Sequence, residues 1–329
     1  MRVAAIDCGT NSIRLLIADS VEHDGVVGLE DVEREMRVVR LGQGVDATGR
    51  FAEEALERTF DALDEYTALI QRHGVAPGSV RFVATSATRD AANRDVFIAG
   101  VRERLGLEPE VVSGDEEAAL SFAGAVSVHP PHDGERVLVV DLGGGSTEFV
   151  AGTAAGVEAG LSTDMGCVRF TERFLRSDPP TDEEVDAATA EVHRFLGEVQ
   201  AAVDLASLDR VIGVAGTITT ITAHALDLDQ YRPDRINGSV LPLGVVAAAA
   251  TELLELPRDR RASLPYMHPG RVDVIGAGAL IWRTVVQHLG EVTQGRVSVA
   301  GTSEHDILDG IALSVVDRLV AESAASLPE

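Results

Sequence analysis

The chain contains no lysine. All 28 residues in the lysine-plus-arginine count are arginine, in a chain of 329 residues. That absence excludes a phosphate loop built on lysine and any lysine nucleophile. It leaves the bidentate arginine fork as the cation available for reading phosphate. Cysteine is almost as scarce. Cys8 and Cys167 lie far apart, with no CxxC spacing and no histidine close by. Each reads as a small packed side chain, and the usage suits a reducing cytoplasm. Long apolar runs are also missing. The longest, 240–250, contains Pro242 and Gly244 and is too short to span a bilayer. Only four apolar residues follow Arg2 before Asp7, so no signal-peptide pattern is visible. The expectation is a cytoplasmic protein with no membrane partner.

Basic charge is scarce relative to acidic charge: the formal net charge is −25 and the pI about 4.6. This argues against a sequence-independent nucleic-acid binder, which needs a basic face. It does not exclude an anionic substrate, because charges beyond about 8 Å are screened at physiological ionic strength. What matters is whether arginines converge at a site. A hydrophobic fraction of 45% is ordinary for a globular chain, and the length suits two domains.

What the chain does have is a repeated hairpin. Val137-Leu138-Val139-Val140-Asp141 reads as a strand covered on both faces. Gly143-Gly144-Gly145 then offers backbone N–H groups at close range, and with the Ser146 and Thr147 hydroxyls forms a nest for phosphate oxygens. Asp141 stands at the strand end, where it can hold Mg²⁺ directly or through water. The N-terminus repeats the device: Asp7, Gly9 and Ser12 match Asp141, Gly143 and Ser146 in spacing, with Thr10 and Asn11 between. Seven residues after each Asp comes a charge, Arg14 in the first copy and Glu148 in the second. Serine and that charge lie two apart, on one face of a strand. Two matched copies imply two related lobes facing each other across phosphates.

These hairpins resemble the paired phosphate loops of the actin, sugar-kinase and chaperone-ATPase superfamily. The wording IDCGTNSIRLLIAD, FVATSATRDAANR, SGDEEAALSFAG, VVDLGGGSTEFV and GVAGTITT is similar to the exopolyphosphatase / guanosine pentaphosphate phosphohydrolase family, over essentially the whole chain. The resemblance implies an α/β fold of two ribonuclease-H-like lobes, mixed sheets flanked by helices, with a cleft between the lobes. It implies a first lobe over 1–123, with a terminal helix 306–329 packing back on it, and a second over 124–305. The chain resembles the short form of the family, without an extra C-terminal domain.

Between the hairpins, 27–41 reads as further strands and 42–50 as a glycine-rich loop, with Arg37, Arg40 and Arg50 in reach of an anion. Residues 51–72 have helical apolar spacing, with Gly74 at the C-cap. The strand 80–85 leads into a polar loop, Ser86-Ala87-Thr88-Arg89, at the position where open α/β sheets bind ligands, and then a helix to Leu105. Arg89 matches a family position that contacts phosphate. After a short strand at 110–112, Ser113 and Glu116 stand at capping-box spacing. That gives Glu116 a structural role. Glu117 is left as the match to the catalytic glutamate of the family, a carboxylate to deprotonate the attacking water. Residues 122–132 read as the crossing to the second lobe, with His129 and His132 as loop residues. Further on, 160–169 reads as a polar loop in which Arg169 is a candidate phosphate contact. Thr181 and Glu184 form a second capping box, 211–220 is a third strand-to-glycine turn, and 232–237 is irregular. Helices follow from 271 and from 306 to 321, with a strand at 297–300 between them.

The resemblance implies an Mg²⁺-dependent (Mn²⁺ being possible) hydrolase that removes the terminal phosphate of inorganic polyphosphate. Glu117 and Glu148 are the catalytic carboxylates, and Asp7 and Asp141 sit by the metal. Thr10, Asn11, Ser12, Arg14, Arg89, Gly143, Gly144, Gly145, Ser146 and Thr147 bind phosphate. Hydrolysis of guanosine pentaphosphate is the alternative of the same bond type. A phosphotransferase of this fold and a non-catalytic alarmone sensor are further alternatives. A homodimer is expected from the family.

Overall fold

Val3, Ala4, Ala5 and Ile6 are completely buried, although no polar residue alternates with them. Both faces of this strand are covered. Ala4, Ile6 and Cys8 enter one apolar cluster, and Val3 and Ala5 enter another on the opposite face. A strand enclosed in this way needs apolar side chains at every position. The computed structural model describes residues 1–23 and 26–325. The chain forms two compact units. One is Met1–Ser127 with the terminal helix Ile307–Ala325, and the other is Val128–Asp306. Residues 326–329, expected to extend that helix, lie outside the described residues.

In the first unit, β1 (Arg2–Cys8), β2 (Ser12–His23) and β3 (Val26–Val38) form an antiparallel meander. Strands β4 (Val80–Ala84) and β5 (Glu110–Val111) add in parallel, giving the order β3-β2-β1-β4-β5. The helices are α1 (Val45–Thr48), α2 (Glu53–Arg72), α3 (Ser86–Asp90), α4 (Arg94–Leu105) and α5 (Gly114–Val128). Helix α2 buries Leu56, Leu63, Tyr66 and Ile70 against the Ile6 face of β1, and Gly74 turns the chain out at φ 66°. The terminal helix lays Ile307, Leu308, Ile311 and Val315 on the other face. Its Gly310 lies against α5 so closely that a Cβ there would sit 1.9 Å from Leu120 O.

One expectation fails in this unit and another is narrowed. Residues 86–89 are not a loop but most of α3. Ser86, Ala87 and Thr88 look polar and loop-like in sequence, yet all three are buried. They are small enough to pack under the first hairpin, where Thr10 Oγ1 and Ser86 Oγ lie 3.0 Å apart. The crossing expected over 122–132 does contain the boundary between the units, at 127/128, but its first part is helical. Helix α5 continues to Val128, because Phe122 and Ala125 are core residues.

The second unit repeats the plan. Strands β6 (Val137–Leu142), β7 (Thr147–Thr153) and β8 (Gly156–Thr163) form the antiparallel meander. Parallel β9 (Arg210–Val214) and β11 (Val299–Thr302) follow, with β10 (Val240–Pro242) antiparallel at the edge. The order is β10-β11-β9-β6-β7-β8. Its helices are α6 (Cys167–Arg173), α7 (Asp182–Ala202), α8 (Ala215–Ala225), α9 (Pro233–Ile236), α10 (Leu243–Glu255), α11 (Arg258–Ala262) and α12 (Ile275–Val292). The capping box at α7 is formed in full, Thr181 with Glu184. Residues 160–169 are not a loop: they are the end of β8 and the start of α6, joined by a short turn. Thr163 Oγ1 donates to Thr147 O at 2.9 Å, which fixes the strand end, and Val168 is core. The fold is thus α/β, with two mixed sheets flanked by helices, as expected. Among the described residues no helix is long and apolar enough to cross a membrane.

Candidate active site

Each hairpin is closed by the same backbone bond. Gly9 N donates to Ser12 O at 3.0 Å, and Gly143 N donates to Ser146 O at 3.0 Å. The matched spacing in sequence is therefore matched geometry. The register places Asp7 opposite Arg14 and Asp141 opposite Glu148. Residues opposite each other on one sheet face interact directly.

In the first unit the opposed charges attract. Arg14 Nε and Nη2 both donate to Asp7 Oδ2, at 2.9 and 2.6 Å. The hairpin rests on the 40–44 turn. Gly42 N donates to Thr10 O at 2.8 Å, and a Cβ on Gly42 would lie 2.3 Å from Thr10 Cγ2. Val39 and Arg40 both donate backbone N–H groups to Asn11 O. The glycine-rich 42–50 loop thus supports Thr10 through Gly42, and the residues just before it, Val39 and Arg40, support Asn11. Arg37 is engaged elsewhere, with Glu35 and Glu65. Among the described residues, the buried atoms Asn11 Oδ1 and Thr88 Oγ1 have no hydrogen-bond partner. Unsatisfied buried polar atoms beside a glycine turn are the mark of a site that completes its bonds with a ligand.

Glu116 and Glu117 are adjacent in α5 but point differently. Glu116 N donates to Ser113 Oγ at 3.2 Å, so the serine caps the helix as expected. The Glu116 side chain does not return to the cap. It pairs with Arg81 at 2.6 Å and is exposed. Glu117 is buried, 7% exposed. Its Oε2 accepts from Arg89 Nη1 at 2.6 Å, and the same nitrogen donates to Val112 O at 2.9 Å. Burial is the largest influence on the Glu117 carboxyl and raises its pKa to about 7; Arg89 and a Thr85 hydrogen bond oppose the rise, and nearby Asp7 adds to it. A carboxylate with a pKa near ambient pH, held by a guanidinium, is matched to general-base work. Ser86 and Thr88 are visible in the sequence as part of a polar stretch after a strand, but Thr85, which bonds Glu117, escapes notice. Its one sequence signal is a hydroxyl residue at the end of the strand 80–85.

In the second unit the glycine turn is clamped from below. Cys167 N donates to Gly143 O at 3.0 Å, and Val168 N donates to Gly144 O at 2.8 Å. Arg169 Nε donates to Gly145 O at 2.9 Å. Arg169 therefore acts on the loop backbone. A Cβ on Gly166 would lie 2.3 Å from Gly144 O, so only glycine admits this approach. Thr147 Oγ1 donates to Met165 O, which fixes the far side of the turn. Ser146, Thr147, Asp141 and Glu148 are all buried. Glu148 Oε1 accepts from Ser162 Oγ at 2.7 Å. Two buried carboxylates directly opposite each other repel unless a cation or proton lies nearby. Oxygen donors of this kind suit a hard divalent ion that keeps much of its water. Among the described residues no group of three or more His, Cys, Asp or Glu gathers as a fuller metal cage.

The third glycine turn, at Ala215-Gly216, opens α8. Arg271 lies over it: a Cβ on Gly216 would meet Arg271 Nη2 at 2.1 Å, and Arg271 Nη1 donates to Thr220 Oγ1 at 3.2 Å. Arg271, read from sequence as the start of a buried helix, is instead a guanidinium at a helix N-terminus. Both cysteines are buried and free, and burial raises both thiols, so neither is a nucleophile. His129 faces Asn237 Oδ1 at 3.3 Å.

The sequence profile of the Ppx/GppA phosphatase family matches residues 16–315. Exopolyphosphatase 2 of Mycobacterium tuberculosis is 49% identical over 319 residues, 95% of this chain and 98% of that protein. Among solved structures, an exopolyphosphatase-like protein matches with a TM-score of 0.91 at 43% identity, over 97% of this chain and 100% of that one. The Aquifex aeolicus member of the Ppx/GppA family matches with a TM-score of 0.78 at 33% identity, over 98% of each chain. With two equivalent hairpins and a relative aligned over nearly the whole length, the chain belongs to the Ppx/GppA phosphatase family.

Proposed function

We propose that the protein is an exopolyphosphatase, which removes orthophosphate from the end of inorganic polyphosphate. The observation that carries this reading is Glu117: a buried carboxylate with a pKa near 7, fixed by Arg89 beside the Asp7 hairpin. Glu117 takes a proton from water as the water oxygen attacks the terminal phosphorus. The anhydride P–O bond breaks, and the shortened chain leaves with the bond electrons. The backbone N–H groups of Gly144 and Gly145, the hydroxyls of Thr10, Ser12 and Ser146, and the Asn11 amide bind phosphate oxygens, each within its own hairpin, whereas Gly143 N and Thr147 Oγ1, expected as phosphate donors, are spent on Ser146 O and Met165 O and shape the turn instead. Arg14 and Arg89 offset the charge of the leaving chain while holding Asp7 and Glu117 in place. Most of the catalysis is positioning and charge stabilisation.

The family fits a divalent cation, with Mg²⁺ as the proposed ion and Mn²⁺ as a substitute. Asp141 and Glu148 would hold it in the second unit, and Asp7 is the equivalent hairpin carboxylate of the first. When bound, the cation neutralises charge on the phosphates during cleavage. The relative from Mycobacterium tuberculosis bears the name Exopolyphosphatase 2, which supports polyphosphate as substrate. The reading includes a cytoplasmic homodimer, and sedimentation equilibrium tests the dimer.

The test is phosphate release by purified protein with Mg²⁺, using short polyphosphate, long polyphosphate and guanosine pentaphosphate in parallel. Release from polyphosphate that is lost in Glu117→Gln supports the reading. Release from the nucleotide alone replaces it with a guanosine pentaphosphate phosphohydrolase.

A further inference from the structure

Away from both hairpins, the second unit holds a cavity of about 130 Å³ between α6, α11 and the start of α12. Three arginines line it, Arg176, Arg258 and Arg261, with two aspartates, Asp178 and Asp273. Arg261 is the unusual member. It is 6% exposed, and its Nε has no hydrogen-bond partner among the described residues. A buried guanidinium N–H without an acceptor is costly. Its Nη2 donates to Asp178 Oδ1 at 2.6 Å. Asp178 Oδ2 also accepts from Arg258 N, and Asp273 Oδ1 accepts from Arg258 Nε. The aspartates are thus committed, and one arginine charge is left over.

The cavity floor is the N-terminus of α12. Gly276 and Ala277 line it, and among the described residues the N-cap residue Val274 makes no side-chain cap bond at this end of the 18-residue helix. Arg261 lies flat on the helix start: a Cβ on Gly276 would be 2.8 Å from Arg261 Nη1. Free N–H groups at a helix start favour an anion. Beside them stand a buried guanidinium with an unmet donor and two more guanidinium groups. The cavity has the volume of roughly four waters, enough for a tetrahedral oxyanion. Glu184 is a nearby acid that does not line the cavity. Its carboxylate is turned into the N–H groups of Arg176, Ser177 and Thr181.

We propose that this cavity is a second phosphate site, distinct from the two hairpins, which takes orthophosphate at the α12 N-terminus through Arg261, Arg258 and Arg176. An internal phosphate of a polyphosphate chain has the same chemistry, and that source rests on the exopolyphosphatase reading.

Inorganic phosphate is titrated calorimetrically into the full chain without metal, so no turnover is needed. The double variant Arg176→Gln/Arg258→Gln removes two exposed cations and leaves buried Arg261 to keep the fold. Gly276→Ala is the second probe, since it narrows the cavity and removes no charge. Ser146→Ala reports on the hairpin. The expected result is a binding event that persists in Ser146→Ala and weakens by about tenfold or more in both cavity variants, the size of a lost charge-assisted bond. Unchanged KM for long polyphosphate in those variants assigns the site to free phosphate. A KM raised for long but not short polyphosphate assigns it to the chain. Wild-type phosphate affinity and stoichiometry in both cavity variants would overturn the proposal, whatever the activity assay shows.

Discussion

Arg89 Nη1 bridges Glu117 Oε2 and Val112 O, at 2.6 and 2.9 Å. One guanidinium thus ties the first turn of α5 to the backbone after β5 and touches the proposed base. Removing the base while keeping its shape isolates its chemistry. Glu117→Gln is expected to lower kcat by about 10²–10⁴ with KM nearly unchanged, the usual effect of a lost general base. Steady-state phosphate release measures it, and an unaltered kcat would remove Glu117 from the mechanism.

The pH dependence follows from the same pair. Glu117 works as a base only when ionised, so kcat/KM rises with pH through a limb near 7. Arg89 opposes the upward shift. In Arg89→Gln the limb moves to higher pH, by about 1–3 units for the loss of a close opposite charge. A pH–rate profile with an unmoved limb refutes the link. Stability changes in the opposite sense. The folded chain holds this proton more tightly than the unfolded chain, about 7 against an ordinary 4.5. The contribution of Glu117 to stability is therefore full below pH 4.5 and is lost as pH rises through about 7.

Gly166 approaches the second phosphate turn so closely that an added methyl meets Gly144 O at 2.3 Å and Gly145 C at 2.5 Å. Its φ of −129° suits any residue, so the effect of Gly166→Ala is purely steric. The expected cost is about 1–3 kcal/mol, as for overpacking, together with a raised KM from a displaced loop. Gly197→Ala, in α7 with open space around it, is expected to raise Tm. Thermal unfolding of the two variants gives opposite signs or contradicts this account.

Ser162 Oγ holds Glu148 Oε1 at 2.7 Å. If Glu148 and Asp141 hold the cation, Ser162→Ala loosens that carboxylate without removing it. The Mg²⁺ concentration for half-maximal activity is then expected to rise by about 10–100-fold, the range seen when a partner of a metal ligand is lost. A magnesium titration with an unchanged midpoint would separate Glu148 from the metal.

The sequence by itself determined both hairpins. Their apolar strands, glycines and hydroxyls are local, and the spacing of Asp7 to Arg14 and Asp141 to Glu148 follows from chain geometry alone. It determined the α7 cap for the same reason, since Thr181 and Glu184 are one helical turn apart. It did not determine which face a polar residue takes. Glu116 and Glu117 differ by about 100° around α5, and only the packed helix shows one reaching Arg81 and the other buried beside Arg89. The stretches 86–89 and 160–169 look like loops because small polar residues favour turns. Burial of Ser86, Ala87 and Thr88 and the pairing of 160–163 with β7 made them helix and strand instead. The supports of the loops, Gly42 under Thr10 and Gly166 under Gly144, come from segments more than 20 residues away and from a separate helix start, respectively. Close approach between backbone segments is a tertiary property. The sequence shows that a glycine is present, and only the folded chain shows what it lies against.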